Sequence, residues 1–122
     1  MKTINDYELK ELKLECVTLI SRTYLELGQK SDADTIVTLA TILSDDLKRD
    51  FKSLYFDDII ESFRIGVRKT DKFHLNVKTY YHWILAHRKT LWDATYQVRT
   101  LNQDPKQVPY YREPTKLLTN KT

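Results

Sequence analysis

The sequence predicts an all-α fold, a single-domain bundle of four main helices followed by a proline-containing C-terminal tail. Only two Gly and three Pro occur in 122 residues, so long segments run without helix breakers. Apolar residues recur at three- and four-residue spacing over four successive stretches, the period of a helix with one buried side. Hydrophobic residues make up 41% and charged residues 30%, the balance of a globular chain with enough length for one core. The bundle is assigned to residues 1–100 and an extended tail to 101–122.

The first helix is expected over residues 6–27. Asp6 serves as N-cap, and Leu9, Leu12, Cys16, Val17, Leu19, Ile20 and Leu27 form the apolar side. Gly28 reads as the stop, because glycine adopts a left-handed backbone at least cost. A second helix is expected over 31–50, opened by Ser31 with Asp32 and Asp34 at the positive end of its dipole. Its Ile36, Val37, Leu39, Ala40, Ile42, Leu43 and Leu47 predict a largely buried element that closes on Lys48 and Arg49. The third, over 56–69, begins with Asp57, Asp58 and Glu61 and carries Ile59, Ile60, Phe63 and Val67 as its core stripe. Gly66 inside that pattern costs about 1 kcal/mol relative to alanine and marks close packing or an approaching end.

Residues 70–75 lack periodicity, and Asn76 is a suitable N-cap for the longest helix, over 77–100. Tyr80, Ile84, His87, Leu91, Ala94 and Val98 lie along one seam, while Tyr81, Trp83, Leu85, Trp92 and Tyr96 spread over other faces. Trp83 is read as core and Trp92 as a contact with a partner. Beyond it, Pro105, Pro109 and Pro114 break helix at short intervals. Tyr110 and Tyr111 between them suit a tail that either wraps over its own bundle or folds onto another protein.

Charge divides the chain. Residues 1–63 hold 8 Lys/Arg against 13 Asp/Glu, and residues 64–122 hold 12 against 4, so the halves carry −5 and +8. Arg64, Arg68, Lys69, Lys72, Lys78, Arg88 and Lys89 supply the densest part, opposed only by Asp71. Two readings stand. Either these residues neutralise phosphates while Phe73, His74, Tyr80 and Tyr81 stack on unpaired bases, or the basic half balances the acidic one within the fold.

Several chemistries are disfavoured. The lone Cys16 allows no internal disulfide, suits a reducing compartment, and falls on an apolar stripe with no neighbouring cation to favour a thiolate. His82 and His87 are five residues apart and face different directions, so no metal is expected. Gly28 and Gly66 stand alone, without a phosphate-cradling loop. Asp57, Asp58 and Glu61 are accounted for by the helix dipole, although an acid/base pair drawn from them and His82 is the enzymatic alternative. A helix-turn-helix is disfavoured by the six-residue connector. No cofactor, catalysis, signal peptide or membrane span is expected, and the expected location is the cytoplasm, or the host cytoplasm for a viral protein.

Residues 39–89 resemble small helical replication-accessory proteins of phages and prophages of Bacteroidetes-type bacteria, proposed as helicase loaders or replisome organisers. The resemblance is carried by Asp58, Ile59, Phe63 and Gly66 in one helix and by Asn76, Thr79, Tyr80 and Trp83 at the start of the next. Lys72 and Phe73 depart from the glycine- and tyrosine-rich loop of that pattern. The resemblance implies a non-catalytic adaptor that contacts a replicative helicase or initiator, with single-stranded DNA as a second partner for the basic residues. Trp92, Tyr110 and Tyr111 would then serve the protein contact. The alternative is a structural or interaction protein, such as a virion component, whose charge split serves oligomer contacts.

Overall fold

The computed structural model describes residues 2–70 and 75–112. Within them the chain is all-α: α1 (Leu9–Glu26), α2 (Ala33–Asp50), α3 (Phe56–Lys69) and α4 (Val77–Arg99), with short 3-10 turns at Ile4–Asp6 and Pro105–Gln107. The chain divides into two compact units, Met1–His87 and the segment from Arg88 onward. No helix among the described residues is long and apolar enough to cross a membrane.

In the first unit, α1 starts later than its periodicity suggests. Asp6 closes the 3-10 turn instead of opening α1, its carboxylate accepting from the Thr3 amide at 3.2 Å and the Thr3 hydroxyl at 3.0 Å. The segment is held by distant partners: the amides of Ile4 and Asn5 donate to the carbonyls of Leu54 (2.8 Å) and Lys52 (3.1 Å). Lys48 donates to the carbonyls of Asn5 and Tyr7. Ile4 is thereby fully buried, and α1 begins only after the chain turns at Glu8. Leu9, expected in the core, is exposed as a result.

At its other end α1 stops as predicted. Gly28 has φ +71°, the Gly28 amide donates to the Leu25 carbonyl at 3.0 Å and the Gln29 amide to that of Tyr24 at 2.9 Å. This pair of bonds is the Schellman closure. The cap of α2 is Asp32, one residue after the predicted Ser31, and its carboxylate accepts from the Thr35 amide at 2.7 Å.

α2 is less buried than expected. Ala40, Leu43 and Leu47 enter the core, yet Val37 is 52% exposed and Ile42 is also on the surface. Ser44 and Asp46 occupy buried positions on the inner side instead. Ser44 can do so because its hydroxyl donates to the Thr41 carbonyl at 2.8 Å. Asp46 keeps Arg49 at 2.5 Å; burial nevertheless raises its pKa against the pull of that guanidinium.

α3 matches its predicted limits. Asp58 is buried and accepts from the Tyr55 amide at 2.9 Å, tying down the first turn. Ile59, Phe63 and Gly66 face inward. Phe63 stacks on the buried Tyr80 of α4 (centroids 5.8 Å apart) and meets Trp83 edge-on at 5.5 Å. The role of Gly66 is then plain: a Cβ at that position would fall inside the indole of Trp83. Trp83 is half-buried, packed by that approach. α4 starts at its predicted cap, with the Asn76 side chain accepting from the Thr79 amide at 3.0 Å. The Tyr80 hydroxyl is buried without a hydrogen-bond partner among the described residues, and burial, followed by nearby Asp46 and Cys16, raises its pKa.

In the second unit Leu91 and Ala94 are buried on the predicted seam, and Val98 is half-buried. After α4 the chain turns at Asn102, φ +58°. Residues 101–112 are not uniformly extended: Asp104 caps the turn Pro105–Gln107 and Val108 is buried. Tyr110, at φ +67°, is exposed, and Tyr111 is half-buried.

Two measurements check this packing. Gly66→Ala should lower stability by about 1–3 kcal/mol in urea denaturation, the cost of overpacking, and Trp83→Leu in the same chain should recover part of the loss by clearing the clash. Cys16 is fully buried, and burial pushes its thiol from 9.0 up to about 12. The folded chain therefore keeps a proton that the unfolded chain releases, so this contribution is intact below pH 9 and is lost as pH climbs towards 12. Alkaline unfolding should be shallower in Cys16→Ala, and at pH 8 the thiol should react with a disulfide reagent only upon unfolding.

Candidate nucleic-acid interface

The seven basic candidates separate by unit. On α3 the inward stripe of Ile59, Phe63 and Gly66 leaves Arg64, Arg68 and Lys69 on the outer side, all exposed. Arg64 grips Glu61 with two bonds, Nε to Oε1 at 2.6 Å and Nη2 to Oε2 at 2.8 Å. Arg68 places Nη2 3.7 Å from Glu26 of α1 and donates through Nη1 to the Arg64 carbonyl at 2.9 Å. Glu26 also lies 3.6 Å from Arg22. Part of the charge asymmetry is thus met inside the fold, by a basic side chain of the second half on an acidic one of the first.

Lys78, on the first turn of α4, is exposed and lines a surface depression with Thr79, His82 and Trp83. Lys72, Phe73 and His74 lie outside the described residues. Two of the expected stacking groups are displaced from that role. Tyr80 is fully buried and has no ring face to offer. Tyr81 is half-buried, its ring 5.2 Å from Phe51 and its hydroxyl donating to Asp50 at 2.8 Å, a bond that is the main cause of its raised pKa.

The second unit holds the remaining two basic candidates, the adjacent Arg88 and Lys89. The Arg88 guanidinium lies over the Trp92 ring, 4.7 Å from its centroid, a contact of about 0.5–1 kcal/mol at an exposed site. Trp92 is 62% exposed and Tyr96, one turn further, 55%. Lys89 pairs with Asp93 at 2.7 Å across the same turns, with both side chains open to solvent. Arg99 is exposed beyond Tyr96. No protein-family model, curated protein or solved structure matches the chain.

Tyr96, one of the aromatics that spread over the outer faces of the helix, joins Trp92 as an exposed ring of this unit. Its signal is the register: Arg88, Trp92 and Tyr96 recur every four residues, which on a helix sets a cation and two aromatics on one flank. Tyr110, exposed in the same unit, keeps its place as a contact candidate, whereas half-buried Tyr111 offers less surface.

Two of the three carboxylates of the acid/base alternative are occupied: Asp58 with the Tyr55 amide and Glu61 with Arg64. No group of three or more His, Cys, Asp or Glu side chains among the described residues could hold a metal ion. Because the ion pairs of Arg64 and Arg68 are open to solvent, each should contribute about 0.2–1 kcal/mol. Arg64→Ala and Arg68→Ala should therefore shift the urea midpoint only slightly; a loss near 3 kcal/mol would assign these cations to the fold.

Proposed function

We propose that the protein is a non-catalytic adaptor of phage-type DNA replication, contacting a replicative helicase or initiator and binding DNA through a basic aromatic surface. The observation that carries the binding half is Arg88 over the exposed Trp92, with Lys89 and Arg99 nearby in the chain. A large aromatic side chain left in water beside cations matches a polyanion with ring-shaped groups better than it matches a structural need. The replication setting is supported by the resemblance of residues 39–89. Its non-catalytic character is supported by the structural engagement of Asp58 and Glu61.

A second reading has its own support: Arg64 and Arg68 already meet Glu61 and Glu26, as in an interaction protein whose charges are balanced without nucleic acid. Salt separates the two. Affinity for a single-stranded oligonucleotide should fall with a log–log slope of about 0.7 per phosphate contacted, and Arg88→Ala combined with Arg99→Ala should flatten that slope. Absence of binding at low salt would leave the protein-interaction reading standing.

A further inference from the structure

Trp92 and Tyr96 are the two most exposed large aromatic side chains described in the chain, at 62% and 55%, and they sit one turn apart on α4. We infer that they form a stacking ladder for two unpaired bases, which makes the ligand a single strand and not a duplex. The inference rests on the DNA-binding reading above and adds the groups that recognise the ligand.

Four residues of helix rise separate the two rings by about 6 Å along the axis, so each ring serves its own base. Stacking needs a bare base face, and in a duplex those faces are already covered by neighbouring pairs. The Arg88 guanidinium rests on the indole at 4.7 Å while most of Trp92 stays open to solvent. The indole is thus pre-set by a cation and still free to accept a ring. Charge complements this. Among residues 88–112, Arg88, Lys89, Arg99, Lys106 and Arg112 oppose Asp93 and Asp104, a net charge of +3, which suits a phosphate backbone passing alongside. Stacking engages any base, so the site is sequence-independent.

Fluorescence titration of the full chain with a thymidine oligomer of about a dozen nucleotides, within the usual site sizes, tests this against a hairpin duplex of equal phosphate number. Thymidine should quench the wild-type tryptophan emission, and the quench should vanish in Trp92→Phe, which retains a stacking ring and most of the affinity. Trp92→Ala and Tyr96→Ala should each weaken single-strand binding about 5- to 150-fold, the range that one lost base stack brings, and leave unchanged the weaker, purely electrostatic binding of the duplex. Both positions are exposed, so circular dichroism should remain that of the wild type. Single-strand binding that both alanine variants retain would overturn the ladder while leaving the DNA reading intact. A wild-type chain that binds neither oligomer at low salt would overturn both.

Discussion

The approach of the Trp83 indole to the bare backbone of Gly66 is the constraint on which the first unit depends. It lets α3 and α4 come close enough for Phe63 to touch Tyr80 and Trp83 together. Any side chain at position 66 would push the helices apart and loosen all three rings. The same contact fixes how α3 is rotated about its axis. With Ile59, Phe63 and Gly66 turned inward, Arg64 and Arg68 have no place but the surface. The basic flank of α3 is in this sense a by-product of an aromatic core.

Electrostatics in this chain act mostly at helix ends and between neighbouring turns. Asp32 and Asp58 each accept from a backbone amide at the start of a helix, and Glu61 and Asp93 hold cations three or four residues away. Such groups form a dense acidic and basic pattern without implying chemistry. What stands apart is the exposed ring of Trp92 beneath Arg88, because no requirement of packing or capping places a tryptophan in solvent.

Local chemistry made much of the fold legible. The limits of α3, the stop at Gly28 and the cap at Asn76 were readable because each is decided within a few residues. The start of α1 was not, since it is decided by Leu54, Lys52 and Lys48, more than forty positions away. Periodicity also failed to say how wide the wetted side of α2 is: Val37 and Ile42 belong to its apolar pattern but lie beyond the buried strip. In the candidate site, the adjacent pair Tyr80 and Tyr81 had to point in different directions, and sequence alone could not say that neither would offer a free ring. Trp92 and Tyr96 were legible as part of an aromatic spread that one face could not bury, but nothing in the sequence pattern marks Tyr96 as a contact, because it carries no charge and interrupts no pattern.

The clasp between Ile4 and Leu54 has a consequence in time. Its hydrogen bond joins positions 50 residues apart, and at ribosomal speeds of about 5–20 residues per second the earlier partner waits roughly 3 to 10 s for the later one to be made. Closing so long a loop also costs chain entropy before any contact rewards it. During that interval Ile4 stays wet and α1 lacks its anchor, so the segment synthesised early is among the last to settle.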